Sequence, residues 1–224
     1  MKSLCHQLSP LPLFSGFTDD ELEQLQSALS LSIAFLKPEE YLLLQADDPA
    51  PTLGYLLSGR AQVFLTDYWG RRSIINNLQP GDLLGGAAAF LSASSLPVNA
   101  VALTACTVLS IDPQPLRQPE AKCAELLNRL QHRIGVVIAQ TNLSLIQKLS
   151  ILSRRSTREK AMAYFSSEAL RAGSSTFQIP FSRDELADYL CVNCSALSTE
   201  LSKLQREGYI QFRRNHFQLL RHDF

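Results

Sequence analysis

Residues 182–210 decide the fold. They read Ser182-Arg183-Asp184-Glu185-Leu186-Ala187-Asp188-Tyr189-Leu190, then Cys191-Val192-Asn193, then Cys194-Ser195-Ala196-Leu197-Ser198-Thr199-Glu200-Leu201-Ser202-Lys203-Leu204-Gln205-Arg206-Glu207, and Gly208-Tyr209-Ile210. Ser182 with Glu185 three residues later is a capping box, which satisfies two orphan amides and starts a helix. Asn193 is a natural N-cap after a three-residue turn, and Gly208 stops the second helix after Glu207. Leu186, Ala187, Leu190, Val192, Leu197, Leu201 and Leu204 are spaced to make one miniature core between the two helices. Tyr209–Phe212 and Phe217–Leu220 flank Arg213-Arg214-Asn215-His216, a basic hairpin. Two short helices across a tight turn, followed by a β-wing, predict a winged helix-turn-helix. A plain helical hairpin would leave the basic wing unexplained.

Upstream, Thr157 is expected to cap a helix running to about Ala172 and closed by Gly173, before a short strand Phe177–Ile179. From Glu120 to about Leu152 there is no proline. Leu127, Leu130, Ile134, Val137, Thr141 and Leu145 recur there at nearly heptad spacing, and Leu126, Val136, Ile138 and Leu149 widen a second face. A helix of that length spans ~50 Å at 1.5 Å per residue. The seam Leu127, Leu130, Ile134, Val137, Thr141 and Leu145 is the expected dimer interface; the competing reading is an intramolecular core helix.

The first half changes pattern. Thr18-Asp19-Asp20-Glu21 is another capping box, opening a helix with Leu22, Leu25 and Leu29 on one face. From about 33 to 112, short apolar runs (Tyr55–Leu57, Ala61–Leu65, Ser73–Leu78, Val98–Leu109) alternate with turn residues such as Ser58-Gly59, Trp69-Gly70 and Pro80-Gly81-Asp82. Nothing alternates strand with helix, so an antiparallel jelly roll is expected rather than a doubly wound sheet. The predicted architecture is α+β with two domains: a sensor roll over 1–117, a dimerisation helix over 118–152 and a winged helix-turn-helix over 153–224.

Composition narrows the function. The 46% of apolar residues supply real cores, so a disordered chain is excluded. No apolar run approaches the ~20 residues of a membrane span, and prolines follow Met1–His6 where a signal would place an apolar stretch. Five cysteines at irregular spacing fit a reducing cytoplasm better than a disulfide scaffold. The net charge of zero hides a split: residues 1–147 hold 9 Lys/Arg against 13 Asp/Glu, and residues 148–224 hold 12 against 8. A basic C-terminal third suits a polyanionic partner. The four histidines are His6, His132, His216 and His222. None falls inside the roll, so a cupin-type metal enzyme lacks its ligands and no metal is expected. There is neither a Gly-rich phosphate loop nor a nucleophile elbow. No catalytic residue and no enzymatic activity are expected.

The Ser182–Leu190 stretch, with Ser195-Ala196-Leu197-Ser198, Glu200-Leu201-Ser202-Lys203-Leu204 and Glu207-Gly208-Tyr209-Ile210, resembles the DNA-binding domain of the cyclic-AMP receptor/fumarate-nitrate regulator (Crp/Fnr) family. Gly59-Arg60, Gly70, Pro80-Gly81-Asp82, Gly85 and Ala102-Leu103-Thr104 are similar to that family's cyclic-nucleotide-binding roll. Ser156-Thr157-Arg158-Glu159-Lys160 is similar to its hinge and first DNA-domain helix. The resemblance implies a cytoplasmic, homodimeric transcription regulator whose partners are double-stranded DNA and RNA polymerase, not a membrane. It places base-facing positions at Cys194, Ser195, Ser198, Thr199 and Ser202, with Lys203 and Arg206 near the helix end, and phosphate contacts at Arg183, Arg213, Arg214 and His216. The family's base-reading arginines fall on Cys194 and Thr199, so guanine readout is expected to be weak.

Two departures concern the effector. Nucleotide-binding members carry a Gly-Glu pair whose carboxylate holds the ribose, and here the pair is Gly85-Gly86. Their phosphate-binding arginine falls in Leu96-Pro97-Val98, and no Lys or Arg occurs between Ser73 and Leu116. A buried phosphate without a cation carries a desolvation penalty of several kcal/mol. The regulator is therefore expected to respond to an effector that is not a cyclic nucleotide, in a pocket around Arg60, Gly85, Gly86, Ala87, Leu96, Val98, Thr141 and Ser144, and no cofactor is expected. Cys5 stands alone, so no iron–sulfur cluster is expected. Cys106, Cys123 and His132, isolated from one another, read as packing or surface residues rather than haem ligands. The alternative function is a degenerate member that binds a ligand or a protein without specific DNA binding.

Cys191 and Cys194 form the only paired cysteines. Cys194 at a helix start is expected to have a stabilised thiolate, and the i, i+3 spacing admits a redox pair. The plainer reading makes Cys191 a small turn residue where the family often has glycine.

Overall fold

The computed structural model describes residues 8–43, 53–70, 72–86 and 98–221. The chain divides into two compact units, Met1–Trp69 with Ile75–Asn142, and Gly70–Ile74 with Leu143–Phe224.

In the first unit, Thr18 and Glu21 close the expected capping box at the start of α1 (Asp19–Ala28), and Leu22, Leu25 and Leu29 are buried. Among the described residues eight strands follow: β1 (Ser32–Leu36), β2 (Tyr41–Leu43), β3 (Leu53–Ser58), β4 (Ala61–Thr66), β5 (Arg72–Leu78), β6 (Leu83–Leu84), β7 (Asn99–Ala102) and β8 (Cys106–Ile111). They form two four-stranded sheets, ordered β1-β8-β3-β6 and β2-β7-β4-β5. Strands far apart in sequence pair antiparallel, β1 with β8 and β2 with β7, which is the nesting of the predicted jelly roll. The turn between β3 and β4 requires Gly59. Its φ is +90°, and a Cβ there would lie 2.3 Å from the Ala105 carbonyl oxygen. Small side chains (Ala61, Ala100, Ala102) fill one apolar cluster with Leu56, Val63, Leu78 and Val108.

The long helix α2 runs Ala124–Leu152, four residues shorter at its start than expected, because Cys123 N–H donates to the Glu120 carbonyl in a preceding turn. Leu127, Leu130 and Ile134 are 1%, 0% and 0% exposed, within a core that also holds Leu53, Tyr55, Leu109, Ile111, Leu116 and the α1 leucines. Those three residues therefore cover the chain's own roll, which corrects their assignment to a dimer seam. Val137 also packs against this core, and the half-buried Thr141 donates its hydroxyl to the Val137 carbonyl. Of the expected seam, Leu145 alone is exposed. The N-terminal segment is tied to the same helix. Arg129 bonds Glu21 at 2.6 Å and donates to the Gly16 carbonyl, Arg133 donates to the Leu13 carbonyl, and both guanidiniums lie over the Phe17 ring. What α2 leaves uncovered is a different stripe: Val136, Leu143, Ile146 and Leu149 are 45%, 67%, 55% and 64% exposed. By length and composition α2 would suffice to cross a membrane, but its most buried residues face the roll.

The second unit contains α3 (Thr157–Ala172), β9 (Thr176–Gln178), α4 (Arg183–Leu190), α5 (Cys194–Arg206), β10 (Ile210–Arg213) and β11 (His216–Leu219). Ser156, not Thr157, caps α3, because Glu159 stands three residues after Ser156 and completes the box. Gly173 closes α3 in the left-handed conformation. The strands form one antiparallel sheet, β10-β11-β9. Leu186, Ala187, Leu190, Leu197, Leu201 and Leu204 are buried as predicted, joined by Phe165, Phe177, Phe181 and Phe217, with Val192 packed at the edge. Phe165 stacks on Phe217 with ring centroids 4.4 Å apart.

Candidate nucleic-acid interface

The α4–α5 turn is built from the caps read in the sequence. Ser182 and Glu185 form the reciprocal box at α4, and the Asn193 side chain accepts from the amides of Ser195 and Ala196. Cys191 ends α4 with φ +51° in the left-handed region, a conformation that favours glycine. Leu197, Leu201 and Leu204 hold one side of α5 in the core, which fixes Ser195, Thr199, Ser202, Lys203 and Arg206 as exposed and Ser198 as half-buried.

The hydroxyls on this face have a common arrangement. Thr199 donates to the Ser195 carbonyl and Ser202 to the Ser198 carbonyl, each at 2.9 Å, and Ser195 donates to Asn193 Oδ1. With donors directed back into the helix, oxygen lone pairs are what this face offers outward. Ser195, Thr199 and Lys203 line an open cleft of about 790 Å³ together with Ser156, Thr157, Arg158, Asn193, Ala196 and Glu200. Sequence reading missed the contribution of the α3 start. The signal was present in the Ser156–Lys160 stretch, but its nearness to α5 is a tertiary fact. Arg158 bonds Glu207 at 2.5 Å, past the end of α5, and lies over the Tyr209 ring.

At the wing, Arg213 pairs across the hairpin with His216, Arg214 takes φ +57° in the turn, and all three are exposed. Asn215 anchors the tip by donating to the Ile179 carbonyl. Arg183 differs from its expected role as a free phosphate ligand. Its guanidinium stands 5.0 Å from the Phe212 ring centroid and 5.9 Å from that of Phe217. Its Nη1 is buried without a hydrogen-bond partner, and burial pushes its pKa down. It braces the wing against the start of α4.

The thiol expectation is reversed at Cys194. A hydrogen bond with the Asp184 carboxylate, helped by burial, pushes the Cys194 pKa up rather than down, because the thiolate would face a negative charge. Cys191 is exposed, its sulfur 3.7 Å from the Asp188 carbonyl. Lys148 is 6% exposed. It bonds the Ile74 carbonyl, lies 3.9 Å from the Tyr189 ring centroid, and burial pushes its pKa down to about 8.

Six of the residues expected around an effector lie among the described residues. Ala87 and Leu96 lie outside the described residues. Arg60 is exposed, engaging Thr104 and Cys106 through its backbone, and Val98 packs against the small-residue cluster. Ser144 is exposed and falls in the second unit, whereas Thr141 falls in the first. Gly85 takes φ +76°, and Gly86 is buried against Ile138.

Residues 34–119 match the cyclic nucleotide-binding domain family and residues 121–223 the Crp-like helix-turn-helix domain family. The chain belongs to the Crp/Fnr family of transcription regulators. Nitrogen fixation regulation protein FixK of Bradyrhizobium diazoefficiens is 30% identical over 146 residues, 63% of this chain and 58% of that protein. The match thus spans a little over half of the FixK chain. Transcriptional activatory protein AadR of Rhodopseudomonas palustris is 28% identical over 179 residues, 77% of this chain and 71% of that protein. Among solved structures, the c-di-GMP responsive global regulator CLP of Xanthomonas campestris shares the fold of this Crp/Fnr regulator. Its TM-score is 0.72 at 19% identity, over 91% of this chain and 100% of that chain.

Proposed function

We propose that this Crp/Fnr regulator acts as a homodimer that binds double-stranded DNA sequence-specifically and controls transcription, as a cytoplasmic protein without catalytic activity. RNA polymerase is its further macromolecular partner, and no membrane is involved. The observation that carries the reading is the hydroxyl-rich exposed face of α5, set beside the cleft at the start of α3, together with the exposed wing residues Arg213, Arg214 and His216.

Such a face fits the major groove, where an α-helix enters and its N-terminal half meets base edges. Outward lone pairs on Ser195, Thr199 and Ser202 accept single hydrogen bonds from the amino groups of adenine or cytosine, and the Thr199 methyl meets a thymine methyl. Neither Cys194 nor Thr199 makes the bidentate guanine contact of arginine. Lys203, Arg206 and the wing residues Arg213, Arg214 and His216 hold phosphates and position the helix. Two-fold symmetry places two half-sites about 34 Å apart, one turn of the duplex. Exposed Val136, Leu143, Ile146 and Leu149 on α2 supply the apolar stripe for the second copy. The roll, with no cation between Ser73 and Leu116, takes no cyclic nucleotide.

Selection from a random duplex pool with the purified chain tests this reading. The expected product is an inverted repeat in which the α5-facing positions favour A·T. Strongly conserved guanines read by α5 at those positions would overturn the hydroxyl readout. Retention of no sequence at all would favour the alternative, a ligand-binding or protein-binding module.

A further inference from the structure

We propose that Ile138 positions α2 on the roll by filling the place that the family resemblance gives to a ligand-holding carboxylate, so that DNA binding needs no small molecule in the roll. The inference rests on the DNA-binding reading above and concerns its regulation.

Gly86 follows β6 and is buried. A Cβ at this position would lie 3.0 Å from Ile138 Cγ1, 3.1 Å from Ile138 Cδ1 and 3.8 Å from Leu53 Cδ1. Carbon atoms gain most from contact at about 3.5–4.0 Å, so any side chain at position 86, glutamate included, requires Ile138 to move. The loss of the acidic residue and the presence of a branched apolar one on α2 are thus two halves of one packing arrangement. Ile138 stands one turn beyond Ile134, and Leu127, Leu130 and Ile134 are already part of the same core, against which Ile138 packs. Together they fasten more than two turns of α2 to the roll by apolar contact, beside the ties of Arg129 and Arg133 to the N-terminal segment.

The chemistry of the surroundings agrees. Leu53 flanks the contact, and β6 before it is Leu83-Leu84. A phosphate or carboxylate placed against these apolar groups would be desolvated, and among the described residues none of the groups that meet position 86 is a cation to offset the cost of several kcal/mol. The helix fastened in this way continues without interruption to the exposed Leu143, Ile146 and Leu149. A seat that depends on Ile138 rather than on a diffusible ligand therefore presets which side of α2 is left for a second copy, the side that carries the exposed Val136.

Two measurements test this. Native mass spectrometry of the purified chain on its selected duplex should give two chains plus DNA and no further stoichiometric mass. In fluorescence anisotropy on the same duplex, Ile138→Ala and Gly86→Val should each weaken binding about tenfold, the scale of one disturbed core neighbour. Ile138→Leu should stay close to wild type. The Gly86→Val/Ile138→Ala pair, in which the added volume replaces the removed volume, should bind better than Gly86→Val alone. General destabilisation predicts the opposite, losses that add. An additional small-molecule mass in the DNA complex overturns the proposal, and so do additive losses in the pair. If the wild-type chain retains no DNA, the DNA-binding reading fails instead, and the same cycle read as melting temperature still decides whether Ile138 seats the helix.

Discussion

Replacing Ile146 by alanine decides which face of α2 meets a second copy. Ile146 keeps 55% of its surface exposed on the single chain. Complete burial of such a side chain is worth about 1.5–3 kcal/mol, so its uncovered share contributes about 1–1.5 kcal/mol. A two-fold interface uses the same residue twice, which makes the loss about 2–3 kcal/mol per dimer. At 1.4 kcal/mol per factor of ten, the dimer dissociation constant should rise about 30- to 150-fold. Ile134 is the control, because it is 0% exposed within the roll. Ile134→Ala should cost about 2–5 kcal/mol of folding stability and leave the dissociation constant of the folded dimer nearly unchanged. Sedimentation velocity over a concentration series reads the first effect, and thermal melting the second. If Ile134→Ala splits the dimer while Ile146→Ala leaves it intact, the exposed stripe is not the interface.

Removing Arg213 or Arg214 at the wing should weaken binding alike for all duplex sequences and reduce the slope of log affinity against log salt by about one for each phosphate no longer neutralised; a change of sequence preference instead would make these base-reading residues. Lys148, whose pKa is pushed down to about 8 by burial, is held below the ordinary lysine value near 10.4, so the unfolded chain binds more protons between those limits. Wild-type stability should therefore rise with pH from about 8 to 10.4 relative to Lys148→Met. A melting-temperature difference independent of pH would show that the amine titrates normally.

Most of the DNA-facing unit was legible in the sequence because its signals are local. Ser182 with Glu185 and Asn193 before α5 act through hydrogen bonds spanning two or three residues, so spacing alone identifies them. The same locality makes Ser156 and the expected cap Thr157 look alike: both are good caps, and only the partner at Glu159 selects Ser156. Arg183 was misread for a different reason. Its charge suggests a phosphate, but the Phe212 and Phe217 rings beside it come from a hairpin about 30 residues further along the chain, a distance over which sequence spacing carries no orientation.

Sequence by itself determined where α1, α4 and α5 start, that the first half is a roll of antiparallel strands, and that α2 is long with two apolar faces. It could not say which of those faces is covered by the chain's own roll. Helical periodicity records that a stripe is apolar, not what lies against it. Tertiary structure decided that Leu127, Leu130 and Ile134 close the roll and that Leu143, Ile146 and Leu149 remain exposed. It also decided that Gly86, which in sequence is only a missing carboxylate, is the space that Ile138 occupies. Burial is a property of neighbours brought together by the fold, and residues 52 positions apart acquire that relation only when the strands and helix have packed.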